Sequence, residues 1–405
     1  MKIRKLQLTG YKVFDELELD FTDLEGNTLD TVVLAGVNGS GKTSILDLLE
    51  AIFSISSKYI SIPALDITSL LVTTYEANKK LVGSCEELKI TIEFSSSEIM
   101  KHRVLQEKNI LEIILAEKEY SYTDGNIPIF KECANSENFS CCYIKLDFLN
   151  DPVQQDVAKY IIDSVINEVI QRREIPSGVV IQETIDRINN MFTGMDMKTK
   201  LVDITATEPI FESFNGKKIS INQLSSGEKQ LFCQAAYLQK LNLQDSIILI
   251  DEPETSLHPT WQRNILKLYQ NMGKNNQIIV ATHSPHVIAS VKPESLFVLY
   301  PNAETGKIEP INMAKAHKHT KGVEPNQILQ EIMGMEDLRD PETRQRIDEI
   351  AELLRLHPEQ VDLPENQAKI EKLRNDLGKG DPFIIRMNHQ LLLIKRRNLS
   401  HEIHS

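Results

Sequence analysis

The sequence predicts an α/β protein: a mostly parallel sheet flanked by helices, with an antiparallel β-lobe, a helical insertion and a helical C-terminal tail. Three observations predict it. The apolar run Thr31-Val-Val-Leu-Ala35 leads through a glycine-rich turn into a helical pattern over Ser44 to Phe53. A second apolar run, Ile247 to Ile250, ends in the acidic pair Asp251-Glu252. A third, starting at Gln277 and running to Ala281, ends in Thr282-His283-Ser284-Pro285. Short, continuous apolar runs are what strands buried on both faces of a parallel sheet require.

The first turn, Gly36-Val-Asn38-Gly39-Ser40-Gly41-Lys42-Thr43-Ser44, matches the phosphate-loop pattern G-x-x-x-x-G-K-[ST] in the strand-to-helix context that the chemistry needs. Gly36, Gly39 and Gly41 let the backbone curl so that successive amides face phosphate oxygens, and the helix N-terminus adds its positive dipole end. Lys42 is placed to neutralise the β and γ phosphates of ATP. Thr43 offers a hydroxyl to Mg²⁺, a hard cation that prefers oxygen ligands.

The second run supplies the other half of the metal site. Ligands of open α/β sheets bind at the carboxyl ends of the strands, where Asp251 and Glu252 stand. Asp251 is expected to contact Mg²⁺ directly or through water. Glu252, facing the other way in an extended backbone, is expected to orient or deprotonate the attacking water.

Between these runs, Leu224-Ser225-Ser226-Gly227-Glu228-Lys229-Gln230 precedes an apolar-rich helix. Its small residues at a helix N-terminus suit a phosphate, with Glu228 adding acidic charge to the first turn. The run resembles the signature motif of the ABC superfamily of ATPases. That resemblance implies action in trans, the loop of one subunit closing on the γ phosphate held by the other, and therefore head-to-tail dimerisation around two ATP molecules. It also implies that His283 is a switch histidine, bonded to the γ phosphate and the catalytic water.

The resemblance narrows over residues 1 to about 300. Glu252-Pro-Glu254-Thr-Ser-Leu-His258-Pro followed by Ala281-Thr-His-Ser-Pro285 is similar to the SMC, RecF and OLD-like branch, where transporters carry other residues. The turn Gly10-Tyr11-Lys12-Val13-Phe14 matches this branch too, with Lys12 where the branch commonly has arginine. Lys12 is either a nucleotide or phosphate contact or an ordinary solvated lysine.

Composition fits a cytoplasmic protein of more than one lobe. The chain has 405 residues and a net charge of −13, which argues against coating nucleic acid by charge alone. Local basic runs at Lys315 to Lys321 and Lys395 to Arg397 read as solvated turns or helix ends, with a contact to DNA as the alternative reading. Five cysteines, an odd number at no metal-ligand spacing, read as reduced thiols. No apolar stretch reaches the roughly 18 residues that span a bilayer, and the alternation over Met1 to Asp20 is not that of a signal peptide, so no membrane association is expected.

The expected organisation is 1–130 for the first part of the ATPase head with its β-lobe, 131–210 for a mainly helical insertion, 211–320 for the second part of the head, and 321–405 for the helical tail. Residues 87–95 and 110–123 alternate like antiparallel strands. Val153 to Arg173 and Gln182 to Phe192 read as helices, far too short for an SMC coiled coil. A Q-loop glutamine is not placed; Gln154 and Gln155 are weak candidates. Helices are expected over Thr260 to Met272 and, in the tail, over Gln327 to Met333, Pro341 to Leu356, Asn366 to Leu377 and Pro382 to Arg396.

The tail holds no D-x-D pair, so no nuclease is expected in this chain. A head followed by such a tail resembles the PtuA ATPase family of Septu and retron-linked anti-phage systems. That resemblance implies a separate HNH-type nuclease subunit bound through the tail, nucleic acid reached through the complex, and a homodimer or higher oligomer. The competing reading is a RecF/SMC-like repair ATPase that clamps DNA on ATP-driven dimerisation.

Overall fold

The computed structural model describes residues 2–50, 87–94, 99–105, 110–115, 118–122, 141–144, 157–241, 243–271, 273–302, 304–335 and 337–404. The candidates Gln154 and Gln155 lie outside them. Two compact units are present, Met1–Ile328 and Leu329–Ser405.

In the first unit, strands β1 (Ile3–Tyr11) and β2 (Phe14–Asp20) form a hairpin that starts a six-stranded antiparallel sheet. The central strand β3 (Thr31–Gly36) follows, then β4 (Glu87–Phe94), β5 (Ile99–Leu105), β6 (Ile110–Leu115) and β7 (Lys118–Tyr122), giving the antiparallel order β2-β1-β4-β5-β6-β7. The alternating patterns over 87–95 and 110–123 thus sit in this sheet, which is the expected antiparallel lobe.

The second sheet carries the chemistry. It is ordered β15-β14-β3-β13-β12-β8, from β8 (Cys141–Ile144), β12 (Ile247–Asp251), β13 (Gln277–Ala281), β14 (Leu296–Pro301) and β15 (Ile308–Asn312). All neighbours are parallel except β14 with β15. Every residue of β3 and β13 is buried, as continuous apolar runs demand of strands covered on both faces. A three-stranded antiparallel sheet, β11-β10-β9, is built from β9 (Lys200–Ile204), β10 (Pro209–Glu212) and β11 (Lys218–Ser220).

Two departures from the sequence reading follow. The 131–210 segment contributes β8 to the parallel sheet and β9 and the first half of β10 to the small one, beside its helices Val157–Gln171 and Ser177–Met191. The helix expected over 260–272 is instead two short ones, Pro259–Gln262 and Ile265–Gln270, separated at Arg263-Asn264. There the Gln262 side chain turns back to bond the Leu257 carbonyl at 2.9 Å, and Asn264 starts the second helix.

One buried amide ties the start of β13 to the start of β1. Gln277, fully buried at the start of β13, accepts from the Ile3 backbone N–H at 2.7 Å and donates to the Ile3 carbonyl at 2.8 Å. Both backbone groups at the start of β1 are thereby satisfied inside the protein, as buried polar groups must be. One apolar cluster then runs from Leu6, Leu8 and Phe14 through Leu34 and Leu46 to Leu249 and Ile279, filling the space between sheets and P-loop helix.

The second unit is helical, with helices Pro341–Leu356, Pro364–Leu377 and Pro382–His404. Its own core contains Ile347, Ile350, Ile370, Leu373, Ile384 and Met387. Among the described residues no helix is long and apolar enough to cross a membrane. Cys233 is a buried free thiol pushed up to about 11 by burial, hence an inert core residue.

Candidate nucleotide site

The loop 37–41 leaves the carboxyl end of β3 and enters a helix that starts at residue 42. Gly36 has φ 145°, and a Cβ there would stand 2.5 Å from the Leu299 carbonyl oxygen of β14, so the strand end closes only on glycine. Gly41 has φ 90° and faces the β1–β2 hairpin: a Cβ would press on the Phe14 ring, 2.7 Å from Cε2, and on Val13 Cγ2 at 2.8 Å. The turn singled out for Lys12 is therefore the support of the P-loop. Lys12 itself has φ 49°, with Nζ 3.8 Å from Asp47 of the P-loop helix and 5.4 Å from the Tyr11 ring centroid. It is an exposed residue placed against the loop's helix.

Lys42 is 4% exposed, and its Nζ donates to the carbonyls of Gly36 and Val37, both at 3.0 Å, with Ser40 Oγ at 3.4 Å. Burial lowers its pKa to about 8 against the opposing pull of Glu252, Asp251 and Glu254. Ser40 is buried inside the loop, whereas Asn38 and Gly39 lie on its exposed side.

Thr43 Oγ1 donates to Asp251 Oδ1 at 3.2 Å, joining residues 208 positions apart. Two hard oxygen donors so placed, beside the loop that follows β3, fit Mg²⁺, which takes few protein ligands and completes its shell with water and phosphate oxygens. Neighbouring Ser44, partly buried, continues the helix.

Glu252 departs from the extended backbone expected of it. Its φ is 47°, a left-handed conformation that costs a non-glycine residue energy, and its N–H donates to the Ala281 carbonyl at 2.8 Å. The turn lifts the carboxylate off the strand, leaving it half exposed with Oε1 3.9 Å from His283 Nε2. The strain sits where an acid and an imidazole meet at the strand ends. Burial, then Lys42, lowers the His283 pKa, while Glu252 opposes; the ring is held toward its neutral form.

The signature segment opens the helix Ser226–Leu241. Glu228 Oε2 accepts from Ser225 N at 2.9 Å and Ser225 Oγ at 2.7 Å, while Glu228 N donates back to Ser225 Oγ at 3.3 Å. This is a reciprocal cap. Oε1 accepts from Thr199 Oγ1 at 2.5 Å. Burial raises the Glu228 pKa, but the bonds from Thr199 and Ser225 outweigh it and hold the carboxyl below its ordinary range. The Glu228 carboxylate thus braces the helix start, where Ser226 is exposed and Gly227 is buried. Gly227 packs on the turn after Glu252, where a Cβ would meet the Ser256 carbonyl oxygen at 2.9 Å and Trp261 at 3.1 Å.

Residues that sequence reasoning passed over complete the site. Glu254 entered only as a motif variant, and Gln262 not at all, yet both bond to the residues flanking His283. The signal available was the second acid after Glu252 together with Thr282 and Ser284 on either side of the histidine. His258, beside them, caps the short helix after it through Thr260 N. An open cleft lined by Asp30, Thr31, Arg263, Lys292 and Glu294 lies at the amino ends of β3 and β14, opposite the P-loop end.

Comparison with known proteins gives a consistent picture. A family model described as "AAA ATPase domain" matches residues 1–173, and one described as "AAA domain, putative AbiEii toxin, Type IV TA system" matches residues 137–289. The chain is 24% identical to the "Septu protein PtuA" of Bacillus thuringiensis over 84% of this chain and 86% of the relative. It is 24% identical to the "Retron Vc95 probable ATPase" of Vibrio cholerae serotype O1 biovar El Tor, over 74% of this chain and 73% of the relative. Among solved structures, the SMC head domain from Thermotoga maritima aligns with a TM-score of 0.46 at 16% identity, covering 77% of this chain and 99% of that one.

Proposed function

We propose that this chain, an ABC/SMC-like ATPase resembling PtuA and the retron ATPases, is the ATP-hydrolysing regulatory subunit of an anti-phage defence complex. In this reading its nucleotide state controls a separate HNH-type nuclease. The observation that carries the ATPase part is the Thr43–Asp251 hydrogen bond. It brings the P-loop and the acidic strand end to one point, with Lys42 on one side and Glu252 and His283 on the other.

ATP binds with its phosphates over the amides of 36–43 and the ammonium of Lys42. Thr43 and Asp251 would hold Mg²⁺, which would supply charge neutralisation for those phosphates. Glu252 accepts a proton from the attacking water. His283, whose pKa burial lowers, donates a hydrogen bond toward the γ phosphate and orients that water. Ser226 and Gly227 of a second copy complete the site from the other side, so hydrolysis and dimerisation are linked.

The defence part rests on similarity to proteins named Septu PtuA and retron ATPases along most of the chain. The helical unit Leu329–Ser405 is the part assigned to partner binding. It has its own core and leaves Ile385, Leu392 and Leu393 of its last helix exposed. A nuclease held in one nucleotide state and released in another requires only that ATP bind the two assemblies with different affinity.

The test is a mass measurement in solution, with and without ATP and Mg²⁺, on the protein co-expressed with its neighbouring genes. The expected result is a stoichiometric complex with a nuclease subunit whose mass or activity changes with nucleotide. A lone protein that dimerises with ATP and then captures DNA in a salt-dependent manner overturns this in favour of a DNA clamp.

A further inference from the structure

The backbone on both sides of His283 is gripped by side chains from the segment that follows Glu252. Glu254 Oε1 accepts from Thr282 Oγ1 at 2.6 Å and from the His283 backbone N–H at 2.7 Å. On the other side Ser284 Oγ donates to Gln262 Oε1 at 2.7 Å, and Gln262 Nε2 donates to the Leu257 carbonyl at 2.9 Å. The Ser284 N–H closes the set by donating to Thr282 Oγ1 at 3.0 Å. Thr282 is fully buried and Ser284 nearly so, which shields these bonds from competing water.

Glu254 is a costly way to make two hydrogen bonds. Its Oε2 is buried and has no hydrogen-bond partner among the described residues. Burial raises its pKa, and the neighbouring Glu252 adds to the rise against the bonds from Thr282 and His283. An enclosed acid next to a second acid destabilises the fold, whereas an apolar residue of the same size would not. Its position accounts for it: the one atom with partners holds the peptide that carries the candidate switch histidine.

We propose that Glu254, assisted by Gln262, is a positioning residue that fixes His283 over Glu252 for ATP hydrolysis. The proposal deepens the ATPase reading and rests on it. Glu254 does not touch the reacting atoms; it acts through the His283 backbone. A displacement of about 1 Å in a catalytic group can cost on the order of 100-fold in rate, which makes a peptide clamp a strong lever on turnover. Nucleotide binding, carried by the P-loop and Lys42, does not pass through it.

The test compares Glu254→Ala, Glu254→Gln and Thr282→Val in the full chain. ATP affinity, kcat, thermal melting and an NMR titration of the His283 ring are measured for each. Groups facing the ring are Lys42 and Glu252, both retained in all variants. Glu254→Ala is expected to lower kcat roughly 10- to 100-fold with ATP affinity within about twofold. The freed ring is expected to titrate nearer the ordinary histidine value of about 6.5. Glu254→Gln keeps the Oε1 acceptor and is expected to stay within about threefold of wild type in kcat.

Should Glu254→Ala fail to fold, Thr282→Val decides, with the same direction and a smaller loss of roughly 3- to 10-fold. Wild-type kcat and an unmoved His283 titration in the folded variants overturn the proposal. So does a parallel loss of ATP affinity and kcat in Glu254→Gln, which marks a scaffold role. If the wild-type protein turns over no ATP, the ATPase reading fails, and the His283 titration still decides whether Glu254 positions the ring.

Discussion

Lys42 shows how burial becomes a functional handle at the scale of one residue. Its ammonium lies inside the loop on two carbonyls, and desolvation brings its pKa to about 8. A bound triphosphate favours the charged form, so above about pH 8 binding requires proton uptake, and ATP affinity is expected to fall by up to about tenfold per pH unit. Titration with a fluorescent ATP analogue should be flat below about pH 7 and weaken above 8; pH-independent affinity up to about pH 9.5 contradicts the assignment. The same depressed pKa means that the unfolded chain binds more protons between 8 and the ordinary lysine value. This group's contribution to stability therefore rises with pH across that window. Glu252→Gln removes the proton acceptor but keeps the shape, and is expected to leave ATP binding within about twofold while lowering kcat on the order of 100-fold or more; unchanged turnover in a phosphate-release assay removes Glu252 from its role. Lys42, Thr43 and Asp251 were legible in the sequence because spacing and residue type alone define them. Glu254 and Gln262 were not, because their roles depend on a turn with Glu252 and Ser256 at positive φ, which folds them back onto the 282–284 strand end.

At the scale of elements, the apolar runs were legible as strands because burial on both faces admits little but apolar side chains. What escaped was structure whose signal lies elsewhere in the chain. The four residues of β8 gain their place by parallel pairing with β12, and nothing within Cys141–Ile144 announces that partner. The split of the 259–270 helices escaped for a similar reason, since Trp261, Ile265 and Leu268 keep a helical rhythm while Gln262 is drawn to the Leu257 carbonyl. For Lys12 the hairpin turn left a nucleotide contact and a solvated lysine both open; what the sequence did not announce is the packing of Val13 and Phe14 beneath Gly41. That contact makes a prediction. Gly41→Ala forces a left-handed alanine against the Phe14 ring, and should cost about 2 kcal/mol of stability while displacing the loop amides. Denaturant unfolding checks the first effect and ATP affinity the second. A variant with wild-type values for both contradicts the seating of the P-loop on the hairpin.

At the scale of the whole molecule, the question is how one chain that carries both a phosphate loop and a signature loop uses them. Ser225 and Glu228 are engaged with each other and with Thr199, and Gly227 rests on Ser256 and Trp261, so the helix start is held rigid and presented as a preformed end. Lys42, by contrast, is gathered with Thr43, Asp251 and Glu252 at the sheet. If two copies meet head to tail, each composite site takes Lys42 from one subunit and Ser226 from the other. Lys42→Ala and Ser226→Arg should each abolish hydrolysis alone. Mixed, they behave differently according to which subunit supplies the signature. In a mixed dimer assembled in trans, both lesions fall in the same site and the other site is wild type throughout. Random pairing makes half the dimers mixed, each with one intact site of two, so equimolar mixing is expected to restore roughly a quarter of the wild-type rate if the sites act independently. Were the two loops to serve the same nucleotide within one chain, every site in the mixture would carry a lesion and the rate would stay at background. Steady-state ATP hydrolysis across mixing ratios distinguishes the two outcomes, with a maximum near equal amounts expected only for the shared site.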